Sequence, residues 1–227
     1  SMNIQNLKPA SELAQRFGVK ALVYGGPGMG KTPIIKTAPR PVLCVVEPGM
    51  LSMRDAVNIP AWDAYTPERI DEFFKWLFTS NEAKNFDTVG IDSISQLAEI
   101  ILTEELKRNK DGRKAYGEMS RRVMEIVNAL YYLPNKHIYL IGKQSTGDEN
   151  GVATKKPYFP GQDLNVKIPH LYDEILHLGE VNVPGQPKPV VGFRCLPTFG
   201  IMARDRSGRL NEIEPPNLDA IFKKCMS

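Results

Sequence analysis

The sequence predicts an α/β domain: a mainly parallel central sheet flanked by helices, with a β-hairpin extension toward the C-terminus. Three observations carry that prediction. Short apolar runs alternate with segments of helical apolar spacing over the first two thirds of the chain. A glycine-rich stretch directly follows the first apolar run, and two β-like runs near the C-terminus flank Pro-Gly-Gln-Pro-Lys-Pro. With 227 residues, 42% of them hydrophobic, the chain can bury one sizeable core as a single domain. It divides into an N-terminal segment (1–19), a core (20–143), a polar aperiodic loop (144–166), and a hairpin with a last helix (167–227).

The core elements follow in order. Residues 20–24 read as a buried strand, and GGPGMGKT comes next, fitting Gly-x-x-x-x-Gly-Lys-Thr from Gly25 to Thr32. Glycines at 25, 26, 28 and 30, with Pro27 and Met29 between them, let successive backbone N–H groups converge on a triphosphate at the start of a helix. Lys31 is placed for the β- and γ-phosphates of ATP, Thr32 for Mg²⁺, and Pro33 for the first turn of the helix behind. Residues 42–46 form a continuous apolar strand. Thr66 and Pro67 then open a helix with Ile70, Phe73, Phe74 and Leu77 on one face.

Residues 89–91 are the next strand. Apolar stripes at Ile94, Leu97, Ala98, Ile101 and Leu102, and at Met119, Val123, Ile126, Val127 and Leu130, mark two helices. A strand at 137–141 closes the series. The 144–166 stretch, long and without period, reads as a functional or mobile loop. Runs at 175–183 and 190–196 make the hairpin. A short helix near Pro215 and Pro216, with Leu218, Ile221 and Phe222 inward, ends the chain.

Two carboxylates complete the chemistry. Asp92 ends the strand in FDTVGIDS, where a metal-holding aspartate stands beside a phosphate loop. Glu47 follows the strand at 42–46 and so emerges at the same edge of a parallel sheet, where a carboxylate orients or deprotonates an attacking water. Arg54, beyond the Glu47 loop, is placed to stack on a nucleotide base. The net charge of +3 says little about partners, but its distribution says more. Between 107 and 122 stand seven basic residues, including Arg108, Lys110, Arg113 and Lys114, with Tyr116 among them and only Asp111 and Glu118 opposed. Such a track suits single-stranded DNA, cations on phosphates and the ring on a base, with a solvated basic helix end as the competing reading.

Cys44, Cys195 and Cys225 are widely spaced and odd in number, which fits reduced thiols in a cytoplasmic protein rather than a disulfide framework or a zinc site. His137, His170 and His177 show no ligand spacing and read as structural. No stretch approaches the roughly 18 apolar residues of a membrane span, and no signal-peptide core stands at the start.

On GGPGMGKT, Glu47, VGIDSIS at 89–95, YLIGKQ at 139–144 and ARDRSGRL at 203–210, the chain resembles the RecA-like P-loop core ATPases. It is most similar to the short phage-encoded ones of single-strand annealing and recombination. The resemblance implies a RecA-like sheet with one strand between the P-loop strand and the strand of Asp92. It also implies a polar sensor at Gln144 and a basic pair, Arg204 and Arg206, reaching the neighbouring subunit's nucleotide. It implies a homo-oligomer, ring or filament, and a second mobile DNA-binding loop after the sensor, containing Lys155 and Lys156. A single-strand-binding or other replication or recombination protein is a further implied partner. Pro33 and Pro48 depart from the family's usual pattern, and the lack of full-length RecA's extra regions favours annealing or an accessory role over complete strand exchange. The expected activity is Mg-dependent, DNA-stimulated ATP hydrolysis in the host cytoplasm. A nucleotide-switched assembly or loader protein with little hydrolysis is the alternative, and a small-molecule kinase fits Glu47 less well.

Overall fold

A computed structural model describes residues 6–227; residues 1–5 of the expected N-terminal segment lie outside the described residues. A short helix without buried residues, α1 (Ala10–Gln15), precedes β1 (Lys20–Gly25). There follow β2 (Pro41–Val45), β3 (Ala61–Asp63), α2 (Pro67–Thr79), β4 (Thr88–Asp92), α3 (Ile94–Arg108) and α4 (Gly112–Tyr131). After them come β5 (His137–Glu149), β6 (Val152–Tyr158), α5 (Gln162–Leu171), β7 (Glu174–Val181), β8 (Val190–Arg194), β9 (Arg204–Asp205), β10 (Ile213–Glu214) and α6 (Leu218–Met226).

The strands make one sheet in the order β10-β8-β7-β1-β5-β4-β2-β3, with β6 paired to β5 and β9 to β7. The six strands from β7 to β3 run parallel; the expected hairpin is β7 with antiparallel β8, its first arm belonging to the parallel core, and β10 adds a further antiparallel strand beyond β8. One strand, β5, stands between β1 and β4, so the P-loop strand and the strand of Asp92 are not neighbours. All the carboxyl ends of the parallel strands therefore meet at one edge, where ligands of open α/β sheets bind.

Each face of the sheet has its own apolar layer. One is covered by α2, α3, α4 and α5, which pack Phe73, Leu97, Ile101, Val123, Val127 and Leu164 against strand residues such as Leu22, Ile91 and Leu140. The periodic stripes read from the sequence lie here, except that Ile126 is only partly buried. Thr66, Ser93 and Asp111 cap α2, α3 and α4 by accepting backbone N–H bonds from Arg69, Gln96 and Arg113. The other face is covered more thinly, by α6 and the five-residue 3₁₀ helix Pro33–Thr37.

That 3₁₀ helix corrects the expectation of a full helix behind the glycine-rich loop. Pro39 pushes Ala38 out of helical backbone (φ −81°, ψ 150°), so the helix ends after Thr37. Thr37 Oγ1 then accepts from Leu218 N at 2.8 Å, and α6 fills the space that a longer helix would take.

The expected mobile loop at 144–166 is also corrected. β5 runs on past Gln144 to Glu149, turns through Asn150 and Gly151, both at positive φ (55° and 81°), and returns as β6. This is the two-residue hairpin geometry for which Asn-Gly is the strongest local signal. α5 follows, ending with Pro169 inside its last turn.

At the amino edge of the sheet, buried cations tie loops to strands. Lys20 Nζ donates to the carbonyls of Phe17 (2.6 Å), Leu133 (2.7 Å) and Lys136 (2.6 Å). Burial pulls the Lys20 ammonium down to about 7, yet three acceptors are one more than a neutral amine can serve, so its geometry is that of the charged form. Lys136 Nζ donates in the same way to the carbonyls of Ala83 and Phe86.

Candidate functional site

The loop that leaves β1 is shaped by two glycines and held by one tyrosine. Gly28 and Gly30 sit at φ 79° and 92°, backbone that L side chains rarely adopt. Gly25 is needed for a different reason: a Cβ there would stand 2.3 Å from Leu178 O on β7, so its role is close strand approach and not conformational freedom. The fully buried Tyr139 donates its hydroxyl to Lys31 O at 2.6 Å and pins the far end of the loop to β5. Lys31 Nζ turns back to donate to Gly25 O at 2.6 Å, lying across the loop that it belongs to.

Thr32 Oγ1 donates to Asp92 Oδ2 at 2.7 Å, so residues 60 positions apart bring a hydroxyl and a carboxylate together beside the loop. Both are hard oxygen donors, the set that a small divalent cation takes while keeping water and phosphate as its other ligands. Burial pushes the Asp92 carboxyl up; the Thr32 hydrogen bond pulls it back, Glu47 pushes further, and Lys31 pulls down. Lys31 is lowered first by burial, against the pull of Asp92 and Glu47, with the like charge of Lys143 adding to the lowering. Glu47 stands just beyond β2, whose last residues run beside Asp92, and Val46 N donates to Asp92 O at 2.7 Å. Its carboxylate is ion-paired with Lys143 Nζ at 3.3 Å.

Gln144 lies beside the loop, and a second residue orients it. His177 Nε2 is 2.8 Å from Gln144 Oε1, and His177 is placed by its register opposite Tyr24 on the neighbouring strand β1. Burial, helped by Lys155, Arg194 and Lys31, lowers His177 to about 4, so the ring is neutral and donates from Nε2. The Gln144 amide nitrogen then faces the loop, 4.0 Å from where a side chain on Gly26 would begin. His177, Lys143 and Tyr139 carry no motif that marks them as site residues in the sequence. Their signal is register alone, since β5 and β7 flank β1 and their residues at the carboxyl edge border the loop.

Arg54 is exposed, and its guanidinium donates to Leu51 O at 3.0 Å. Arg204 and Arg206, which the resemblance directs to a neighbouring subunit's nucleotide, bind the end of α5 within this chain. Arg204 donates to Pro169 O and Tyr172 O, and Arg206 donates to His170 O (3.0 Å), Leu171 O (3.1 Å) and Asp173 Oδ1 (2.8 Å). The pair thus satisfies the four carbonyls that the end of α5 leaves open. β9, which carries Arg204, pairs with the first residues of β7, at the edge of the sheet opposite Lys31. Within the chain Arg204 keeps one buried nitrogen, Nε, without a partner, and the Arg206 side chain is 43% exposed.

The basic track is partly neutralised by acids outside the 107–122 stretch as well as within it. Arg108 and Arg122 share Glu104 and Glu105, and Arg121 pairs with Glu118 and Glu125. Lys107, Lys110, Arg113 and Lys114 make no ion pair among the described residues. Tyr116 is 43% exposed and its ring rests on Gly161, just after β6. On β6, Lys156 pairs with Glu149 at 2.5 Å across the hairpin, and the backbone carbonyl of Lys155 accepts from Tyr24.

A family model described as AAA domain matches residues 18–207. No curated protein matches the chain. Among solved structures, a KaiC-like protein from the hyperthermophilic archaeon Pyrococcus horikoshii OT3 is similar at 15% sequence identity, with a TM-score of 0.44 over 88% of this chain and 82% of that one. Among the described residues no helix is long and apolar enough to cross a membrane.

Proposed function

The chain belongs to the AAA domain family, and from that premise we propose that it binds and hydrolyses Mg-ATP at the 25–32 loop and acts on single-stranded DNA, in recombination or annealing of the phage type. The observation that carries the nucleotide reading is the Thr32–Asp92 contact of 2.7 Å beside a loop that ends in Lys31. That pair fits Mg²⁺: Thr32 and Asp92 would hold the ion, which would supply positive charge to offset that developing on the phosphates. Lys31 swings from Gly25 O to the β- and γ-phosphates. Gln144, oriented by His177, donates its amide N–H toward a phosphate oxygen, and Glu47 orients the attacking water from the neighbouring strand end.

Support for the strand comes from Lys107, Lys110, Arg113 and Lys114, cations without a carboxylate partner among the described residues, beside a half-exposed tyrosine. The neutralisation of Arg108, Arg121 and Arg122 within the chain favours a second reading, a nucleotide-switched assembly protein whose partner is another protein. One experiment separates them. ATP hydrolysis is measured with and without single-stranded DNA, and DNA binding is titrated against salt. On the first reading DNA accelerates turnover, and Arg113→Ala with Lys114→Ala lowers the salt slope by roughly 0.7 for each phosphate no longer neutralised. Turnover indifferent to DNA, with no binding at low salt, would turn the assignment to the protein partner.

A further inference from the structure

Among the cations of this chain, Lys143 is in an unusual position. In the sheet it is the register partner of Gly25, the first residue of the glycine-rich loop, and it lies two residues beyond Ile141, the partner of Asp92. Its backbone is fixed, N donating to Ser95 Oγ at 2.9 Å, while Ser95 donates to Tyr158 O at 2.6 Å. Its side chain is not fixed in the same way. Nζ touches Gln96 Oε1 at 3.0 Å and Glu47 Oε2 at 3.3 Å, with 42% of the side chain exposed. An ammonium has three donors, so one is uncommitted and the other two hold replaceable side-chain partners.

The pairing has a consequence for Glu47. A carboxylate that must orient water is held instead against a cation, in a half-exposed contact of the kind that is weak and easily exchanged. A triphosphate seated on the neighbouring loop brings several negative charges to the same ammonium, and charge-assisted contacts to phosphate outcompete one long carboxylate contact. Arg204 and Arg206 do not fill the role of a second cation at this loop within the chain, because β9, which carries Arg204, pairs with the start of β7 at the opposite edge of the sheet.

We propose that Lys143 is a latch between nucleotide and carboxylate: it holds Glu47 off line until the γ-phosphate of ATP draws its ammonium away and frees Glu47 to orient water. This rests on the ATP reading above. Lys143 is then a positioning residue for Glu47 and a contact that distinguishes ATP from ADP, since ADP offers no γ-phosphate.

The test is a double-mutant cycle read by equilibrium binding of ATP and ADP, which does not depend on turnover. Lys143→Met should weaken ATP by about tenfold or more, the size of a missing hydrogen bond to a charged group, and leave ADP within about twofold. Glu47→Gln releases the ammonium in advance, so it should tighten ATP by roughly two- to fivefold; in the Lys143→Met background the same change should do nothing. Lys143→Arg should restore the preference for ATP. An unchanged ATP preference in Lys143→Met, equal weakening of ATP and ADP, or purely additive effects of the two substitutions would overturn the latch. Wild-type protein that bound neither nucleotide would overturn the ATP reading itself, a result distinct from binding without coupling.

Discussion

The two edges of the central sheet use their cations in opposite ways. At the amino edge, Lys20, Lys136, Arg204 and Arg206 all donate to main-chain carbonyls, the ends of loops and of α5, and Lys20 spends all three of its donors there. At the carboxyl edge, Lys31 touches one carbonyl of its own loop, and Lys143 touches two side chains. Carbonyls that no other donor reaches cannot release a cation without a large cost, because an unmet buried acceptor is expensive. Side-chain partners can release it cheaply, and Lys31 leaves one carbonyl where Lys20 would leave three. The same residue type is therefore architecture at one edge and a movable charge at the other, and the acceptor, not the donor, decides which.

The largest effects should come from exchanging one cation at each edge. Lys31→Ala should cut hydrolysis by on the order of 10² to 10³, as removal of a charge-stabilising donor does, and leave the melting temperature nearly unchanged. Lys20→Met should do the reverse. It orphans three carbonyls and should cost about 3 kcal/mol or more of stability in urea unfolding, while nucleotide affinity per folded molecule is kept. A Lys31→Ala protein that unfolded as readily as Lys20→Met would erase the distinction between the edges.

Arg204 sharpens the comparison, because sequence likeness put it with the catalytic groups and the structure puts it with the staples. Arg204→Ala should lower stability by about 1–3 kcal/mol through the exposed end of α5. Turnover per folded molecule should stay as it was, alone or mixed with Lys31→Ala subunits. Recovery of activity in such a mixture, from two inactive parents of unchanged stability, would return the residue to the neighbour's nucleotide.

What was legible in the sequence follows from how local each signal is. The glycine-rich loop, the strands at 20–24, 42–46 and 89–91 and the stripes of α2 to α4 declare themselves within a few residues, so their places in the fold could be read. The hairpin β5–β6 was equally local: Glu149-Asn150-Gly151-Val152 carries its turn, but the polar residues on both sides hid the alternation of a strand projecting past the sheet. β3, only three residues at the sheet edge and half exposed, carries no pattern to read. The remaining differences are long-range. Nothing near Arg204 announces the open carbonyls of α5 some 35 residues earlier, and the acids on Arg108 and Arg122 sit outside a window drawn from 107 to 122. His177 beside Gln144 depends on strand order, which local spacing does not give.

The last predicted effect depends on pH and lies again at the amino edge, where a buried carboxyl meets a second one. Glu174, the first residue of β7, is 1% exposed; its Oε1 accepts from Ser207 N at 3.2 Å, and its Oε2 is buried without a donor. The neighbouring Asp205 is well supplied, by Ser207 N at 2.9 Å and Leu210 N at 2.8 Å. Two carboxyls in that arrangement share a proton, with Glu174 donating. Burial first, then the contact with Asp205, pushes Glu174 up to about 9 from 4.5. For Asp205 burial pushes upward, but the hydrogen bonds from Glu174, Ser207 and Leu210 prevail and hold it below the usual carboxylate range. Between pH 4.5 and about 9 the folded chain thus keeps a proton on Glu174 that the unfolded chain has released. The unfolded state binds fewer protons, so this contribution is complete below pH 4.5 and stability declines as pH rises toward 9. Glu174→Gln supplies a permanent N–H to Asp205 and needs no proton. It should match the wild type near pH 4.5 and exceed it by up to about 1.4 kcal/mol for each pH unit above that, read from urea unfolding, with a flatter profile between. Parallel profiles for the two proteins would mean that Glu174 is ionised in the fold, and that the amino edge holds an unpaired charge where a shared proton is expected.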